Sequence, residues 1–213
     1  MLRLFLRIQL VLVFVLTVSL LSGCIKTTSV PTRFYVLNPF DYDVSLVNET
    51  KKNVSSSVEI ASLRLPQYLE KPQIVTRSSK NRLELAEYHQ WGGNLRKNMT
   101  RVLAQNISQL LDTPNISIAP FSPPVPPEFR VEIEVMRFER DFNGQVRFST
   151  QWRLSSGQDR KILVTRMTDL ESPVVQPLPD FEHTVLTMSA LLGELSRIIG
   201  REILKHDQGG AVP

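Results

Sequence analysis

The stretch FRVEIEVMRFERDFNGQVRFSTQWRL, residues 129–154, decides the fold. Phe129, Val131, Ile133 and Val135 alternate with Arg130, Glu132 and Glu134. An apolar residue at every second position marks a strand with one buried face. Phe138 breaks that parity, which predicts a bulge near Met136. Asn143-Gly144 predicts a two-residue hairpin turn of the primed type. On the return strand Val146, Phe148, Thr150, Trp152 and Leu154 point inward, and Arg147, Ser149, Gln151 and Arg153 face water or a polar partner. RKILVTRMTDL (160–170) then predicts a third antiparallel strand.

Upstream, RFYVL (33–37) reads as a first strand, and 40–57 as a long polar excursion. VEIASLRLP (58–66) reads as a half-buried strand with Val58, Ile60 and Ser62 inward. QIVTRSSKNRLELAEY (73–88) predicts two strands around a Ser-Ser-Lys-Asn turn. Trp91, Leu95, Met99, Val102, Leu103, Ile107 and Leu110 recur at helical spacing and predict a helix from about Gln90 to Leu111. Thr113-Pro114 ends it, because proline disfavours helix in the residue before it. NISIA (115–119) is a short strand. PFSPPVPP (120–127), with five prolines in eight residues, is a stiff spacer or a recognition segment.

Beyond the proline-marked loop ESPVVQPLPD, Asp180 is placed to cap a last helix reaching about Leu204. Val185, Leu186, Met188, Leu191, Leu192, Leu195, Ile198, Ile199 and Ile203 cover more than half of its circumference. So wide a stripe fits a core helix, or a helix partly covered by another subunit or a lipid. The fold class expected is α+β, a largely antiparallel, mixed sheet packed against two long helices.

The chain starts with Arg3 and Arg7, no acid, and the apolar run VLVFVLTVSLL (11–21). That run is short for a membrane span, which needs about 20 residues, and fits an export signal. Leu21-Ser22-Gly23-Cys24 follows, and Cys24 is the sole cysteine. The tetrad resembles the bacterial lipobox, in which the thiol is alkylated by diacylglycerol before cleavage after the small residue. Leu21 and Gly23 are the residues the signal peptidase would recognise. A buried free cysteine would sit in a core, whereas this one precedes IKTTSVPT. The expected organisation is a cleaved signal (1–23), a lipidated tether (24–32), one domain (33–204) and a mobile tail (205–213). Covalent diacylglycerol and an N-linked acyl chain on Cys24 are the only non-protein groups expected. Ile25 stands where aspartate would mark inner-membrane retention, which favours the outer membrane, facing the periplasm.

Removing residues 1–23 leaves 23 basic against 21 acidic residues and a formal charge of +2. Nucleic-acid binders carry a clustered basic excess, so that class is disfavoured. His89, His183 and His206 are isolated, without the spacing of a zinc site. There is no G-x-S-x-G nucleophile and no glycine- and lysine-bearing phosphate loop. Glu132 and Glu134 share a polar strand face with Arg130 and read as a solvated surface. No catalytic constellation emerges, and a non-enzyme is expected.

LPQYLEKPQIVTR (65–77) followed by HQWGGNL (89–95) resembles the PqiC/YmbA family of ABC-type transport auxiliary lipoproteins. The family pattern falls on Leu65, Pro66, Tyr68, Leu69, Lys71, Pro72, Gln73, Ile74, Val75, Thr76 and Arg77, and its helix-start tryptophan on Trp91. This chain departs with Gly92-Gly93-Asn94 after the tryptophan and with a longer segment at 40–57. The resemblance implies an outer-membrane lipoprotein that assists MCE-domain proteins spanning the periplasm in moving lipid between membranes and keeping the envelope intact. It also implies a homo-oligomer, such as a ring. Pro66 and Pro72 would bracket a rigid turn, Tyr68 and Leu69 would dock between sheet and helix, and Gln73 and Arg77 would be free to bond a partner's backbone. Alternatives are a periplasmic lipid or glycolipid carrier with a groove along the last helix and, from another class, an envelope hydrolase.

Overall fold

The computed structural model describes residues 5, 7–13, 30–40, 56–121, 124–173 and 181–209. Met1–Pro31 and Thr32–Pro213 are separate compact units. In the first, residues 7–13 are helical and exposed. No helix among the described residues is long and apolar enough to cross a membrane.

The second unit is built around the decisive hairpin. Strand β6 (Phe129–Arg140) buries Phe129, Val131, Ile133, Val135 and Phe138, with the expected bulge between Val135 and Arg137. Strand β7 (Val146–Ser156) pairs with it antiparallel and buries Val146, Phe148, Thr150, Trp152 and Leu154. Strand β8 (Ile162–Glu171) completes the meander.

The turn between β6 and β7 is not the two-residue primed turn expected. Primed type I geometry needs positive φ at both central residues, but here Gly144 has it (φ 83°) and Asn143 does not. The Gly144 N–H donates to the Asp141 carbonyl at 3.0 Å, and the Asp141 N–H to the Gln145 carbonyl at 2.8 Å. This is a turn closed by a left-handed glycine. The Asp141 carboxylate favours it by accepting from the amides of Asn143 and Gln145.

Strand β2 (Val58–Arg64) runs parallel to the first half of β6, and β5 (Ile116–Ile118) lies parallel on its other side. A register shift between Ile60 and Ser62 flips the inward parity, so Leu63, not Ser62, enters the core. Strands β3 (Gln73–Ser79) and β4 (Arg82–Trp91) form the expected hairpin, and β1 (Arg33–Tyr35) adds parallel to the end of β4. The protein is α+β: a mixed eight-stranded sheet whose two longest ladders, β6–β7 and β7–β8, are antiparallel.

Helices α1 (Leu95–Leu111) and α2 (Phe181–Gly209) carry the apolar stripes that cover the sheet. Leu95, Met99, Val102, Leu103, Ile107 and Leu111 meet Met188, Leu192, Leu195, Ile199 and Ile203 in one core. On α1 Leu110 is half-buried; on α2 Leu186 is exposed, so the second stripe is narrower than the sequence implied.

Helix α1 begins five residues later than expected. Trp91 closes β4, and Asn94 is the N-cap, its side chain accepting from the Lys97 amide at 3.0 Å. Gly92 makes the corner and donates its N–H to the Tyr35 carbonyl at 2.7 Å. At the other end of the chain, α2 runs past Leu204 to Gly209, so 205–209 is helix and not tail. The Asp207 carboxylate accepts from Ser56 Oγ, and Lys205 pairs with Glu202, which fixes that last turn. The excursion at 41–55, the 174–180 loop with its Asp180 cap, and residues 210–213 lie outside the described residues.

Candidate functional site

Leu21, Gly23 and Cys24 also lie outside the described residues. The 65–77 motif does not. Pro66 precedes a single 3-10 turn, Gln67–Glu70, closed by the Leu69 N–H on the Pro66 carbonyl at 2.9 Å. That turn buries Leu69 and aims Tyr68 at the second half of β6. Ile74 and Val75 enter the core, Thr76 pairs with Arg140, and half-buried Gln73 pairs with Gln90. The Pro72 carbonyl accepts the Trp91 N–H at 2.7 Å, which ties the start of the motif to its tryptophan.

Tyr68 and Arg77 converge on Glu139, a carboxylate with no solvent exposure. Tyr68 Oη donates to Oε2 at 2.7 Å. Arg77 Nε and Arg137 Nε both donate to Oε1, at 2.9 and 2.7 Å. The Phe138 amide adds a fourth donor at 3.2 Å. A buried charge is tolerable only when paired and hydrogen-bonded, and Glu139 is both. Burial first, then the neighbouring carboxylate, pushes the Tyr68 hydroxyl far above its usual range. The hydrogen bond to Glu139 raises Arg77.

The network continues to Asp141, which pairs with Arg147 at 2.7 Å, and from Arg147 to Glu171 at 2.8 Å. Burial alone would raise the Asp141 pKa. Arg147 and the Gln145 and Asn143 amides outweigh it and hold the carboxyl below its ordinary value. Groups so fully engaged hold geometry. Arg77 also spends a guanidinium N–H on the Lys80 carbonyl at 3.0 Å, so two of its donor groups are held within the protein.

Sequence reading passed over Glu139 in favour of Glu132 and Glu134. Its signal was the parity break itself: past the bulge, Phe138 and Glu139 are both buried. Of the other two, Glu132 is half-buried and Glu134 exposed, as a solvated face requires.

Beside the motif, β1 and the turn after it face the first turns of α2 across an open groove of about 940 Å³. His89 stacks on Phe181 (ring centroids 4.0 Å apart), and its Nδ1 is 2.8 Å from Tyr35 Oη. The Arg140 guanidinium lies 5.5 Å from the Phe181 ring centroid. Burial, then Arg33, lowers the His89 pKa. Phe34, Val36 and Leu186 line this groove and are exposed. Among the described residues, no cluster of three or more His, Cys, Asp or Glu side chains is placed to hold a metal ion.

The described part is an open mixed sheet covered by two long helices, with a motif-built clamp between two of its strands. The family model of the ABC-type transport auxiliary lipoprotein component matches residues 35–200, and the chain belongs to that family. The matched span includes Tyr68, Arg77 and Glu139. Among solved structures, an uncharacterized protein aligns with a TM-score of 0.64 and 20% identity, over 82% of this chain and 99% of its own. The protein XCC0632 from Xanthomonas campestris aligns with a TM-score of 0.64 and 14% identity, over 85% and 98%. At these identities the likeness is one of fold. Among curated proteins none matches. The family is one of lipoproteins that assist transport, non-enzymatic in kind.

Proposed function

We propose that this protein is a non-catalytic accessory of an MCE-type ABC lipid-transport system, held by lipid on Cys24 at the periplasmic face of the outer membrane. There it docks the MCE-domain protein that spans the periplasm, and it works as a homo-oligomer. The observation that carries this reading is the family match over residues 35–200. The lipobox-like Leu21-Ser22-Gly23-Cys24 supplies the anchor and Ile25 favours the outer membrane. Each buried methylene of the anchor contributes about 0.8 kcal/mol, and more than one chain is needed for stable attachment.

The carrier alternative required a groove along the last helix. The groove present takes in α2 only as far as Ala190, and it is lined by Arg33, Asn38, Glu182 and His183 as well as by apolar side chains.

The test is affinity purification of the full-length acylated protein in mild detergent, with mass spectrometry of what accompanies it and a native mass for the assembly. Recovery of an MCE-domain protein is expected. A preparation without one would overturn the docking role, and stoichiometric lipid in its place would shift the reading to a carrier. Arg77→Glu is unsuited to mapping the contact, because it would set a second carboxylate against Glu139 and disturb the fold first.

A further inference from the structure

We infer that the groove between β1 and the start of α2 rests on the bilayer that holds the anchor, and so fixes the domain's orientation on the membrane. Three observations converge on this. Phe34, Val36 and Leu186 are 66%, 50% and 65% exposed and lie in one groove. Scattered exposed apolar residues need no explanation, but a contiguous group of large ones marks a contact surface. The exposed Met136 and Met167 of the sheet, by contrast, stand two residues along their strands from the carboxylates Glu134 and Asp169, on the same face.

The second observation is tether length. Phe34 is ten residues past Cys24, a reach of at most about 36 Å even if fully extended. Once Cys24 is acylated, the groove rim stays within about 36 Å of the membrane.

The third is chemistry. Arg33, Phe34 and Tyr35 bring a cation and two aromatic rings to the rim, with His89 and His183 close by. Glu182 is the one carboxylate among the described lining residues. Aromatic rings and long cations are the side chains that favour the headgroup level of a bilayer. Anionic headgroups complement Arg33, while Phe34, Val36 and Leu186 suit the acyl boundary beneath them.

The inference rests on acylation at Cys24 and not on the MCE partner, so failure of the co-purification leaves it standing. The test uses the full-length acylated protein in vesicles of phosphatidylcholine and phosphatidylglycerol with chain-brominated lipid as quencher. Both native tryptophans, Trp91 and Trp152, are buried and give a background measured on the unsubstituted protein. Phe34→Trp and, on the facing wall, Leu186→Trp report on the groove. Arg201→Trp, about 30 Å along α2 from Phe181, is the control. A side chain seated about 5–10 Å into the interface should lose about half its emission to the brominated chains. The expected result is that loss at Phe34→Trp and Leu186→Trp, with Arg201→Trp unchanged. Groove tryptophans quenched by aqueous acrylamide but not by bromolipid would overturn the inference, because the groove would face water. Tryptophans shielded from both would overturn it equally, since protein would cover the groove. Quenching that persists at one bromolipid per protein in detergent would overturn it as well, marking a single bound lipid.

Discussion

Strand β6 offers the same edge to two partners and holds them by different means. Along its first half it pairs with β2 from Val58↔Phe129 to Arg64↔Glu134, and the inward side chains of both strands merge into the core. At its far end it meets β3 through one backbone pair, Thr76↔Arg140. There the buried Glu139 takes over, gathering Tyr68 and Arg77 from the β2–β3 segment and Arg137 from β6 itself. The contrast shows what the 65–77 segment does in this chain. Where the ladder thins to one pair, a side-chain clamp keeps the β3–β4–β1 arm on the sheet. That arm includes β1, one wall of the groove, so the clamp also positions that wall.

The difference can be broken from either side. The largest expected effect is at the ladder. Ile60→Ala, at a side chain 1% exposed, should cost about 3 kcal/mol, because the lost transfer energy is joined by a cavity. Urea denaturation should show a lower midpoint with an unchanged slope, the mark of a loss shared by the whole cooperative unit. A local loss, with the rest of the sheet unaffected, would show that the two attachments are alike after all.

Glu139→Gln should cost less, about 2 kcal/mol. Removing one partner of a buried pair costs about 3–5 kcal/mol when the other is stranded, but Arg77 and Arg137 keep 20% and 28% exposure and recover some solvation. Its signature should be local. Amide exchange should quicken across β3 and β4 while β6, β7 and β8 stay protected, as expected of a sub-global opening. Uniform loss of protection would place the clamp inside the global unit and end the distinction.

The same contrast separates what the sequence made legible from what it hid. Period-two parity over 129–154 shows directly which side chains are buried, and its one interruption marks the bulge near Met136. A ladder is a repeated local pattern, so it can be read locally. The clamp joins Tyr68 and Arg77 to a carboxylate more than sixty positions away, and no local pattern announces that. Trp91 misled for a related reason. It stands four residues before Leu95 and both are buried, so helical spacing fits although Trp91 ends a strand. Gly92-Gly93 and the Asn94 cap were the better evidence. In β2 a register shift moved Leu63 into the place that strict alternation gave Ser62. In the hairpin, Asn143-Gly144 fits a primed turn by composition, but the Asp141 carboxylate recruits two amides into a different one.

The smallest expected effect sharpens the comparison at the clamp's rim. Asp141 is held by Arg147 and two backbone amides, and its carboxyl titrates below the usual carboxylate value. A folded-state pKa below the unfolded one means that the unfolded chain binds the proton more readily, so stability is lost on acidification. The contribution should be complete above the unfolded value, near pH 4, and should fade as pH falls through the lower folded value. Asp141→Asn keeps an acceptor for the amides of Asn143 and Gln145 but removes the charge facing Arg147. At pH 7 it should therefore cost about 1.5 kcal/mol, the low end of the range for a hydrogen bond to a charged group. The gap between the two proteins should be constant down to about pH 4 and close below it. A gap that stayed constant through pH 2 would mean that the turn geometry, not the ion pair, is what Asp141 supplies. Because this titration lies at the β6–β7 turn, acid should loosen that end of β6, where the clamp sits, before it reaches the β2 ladder.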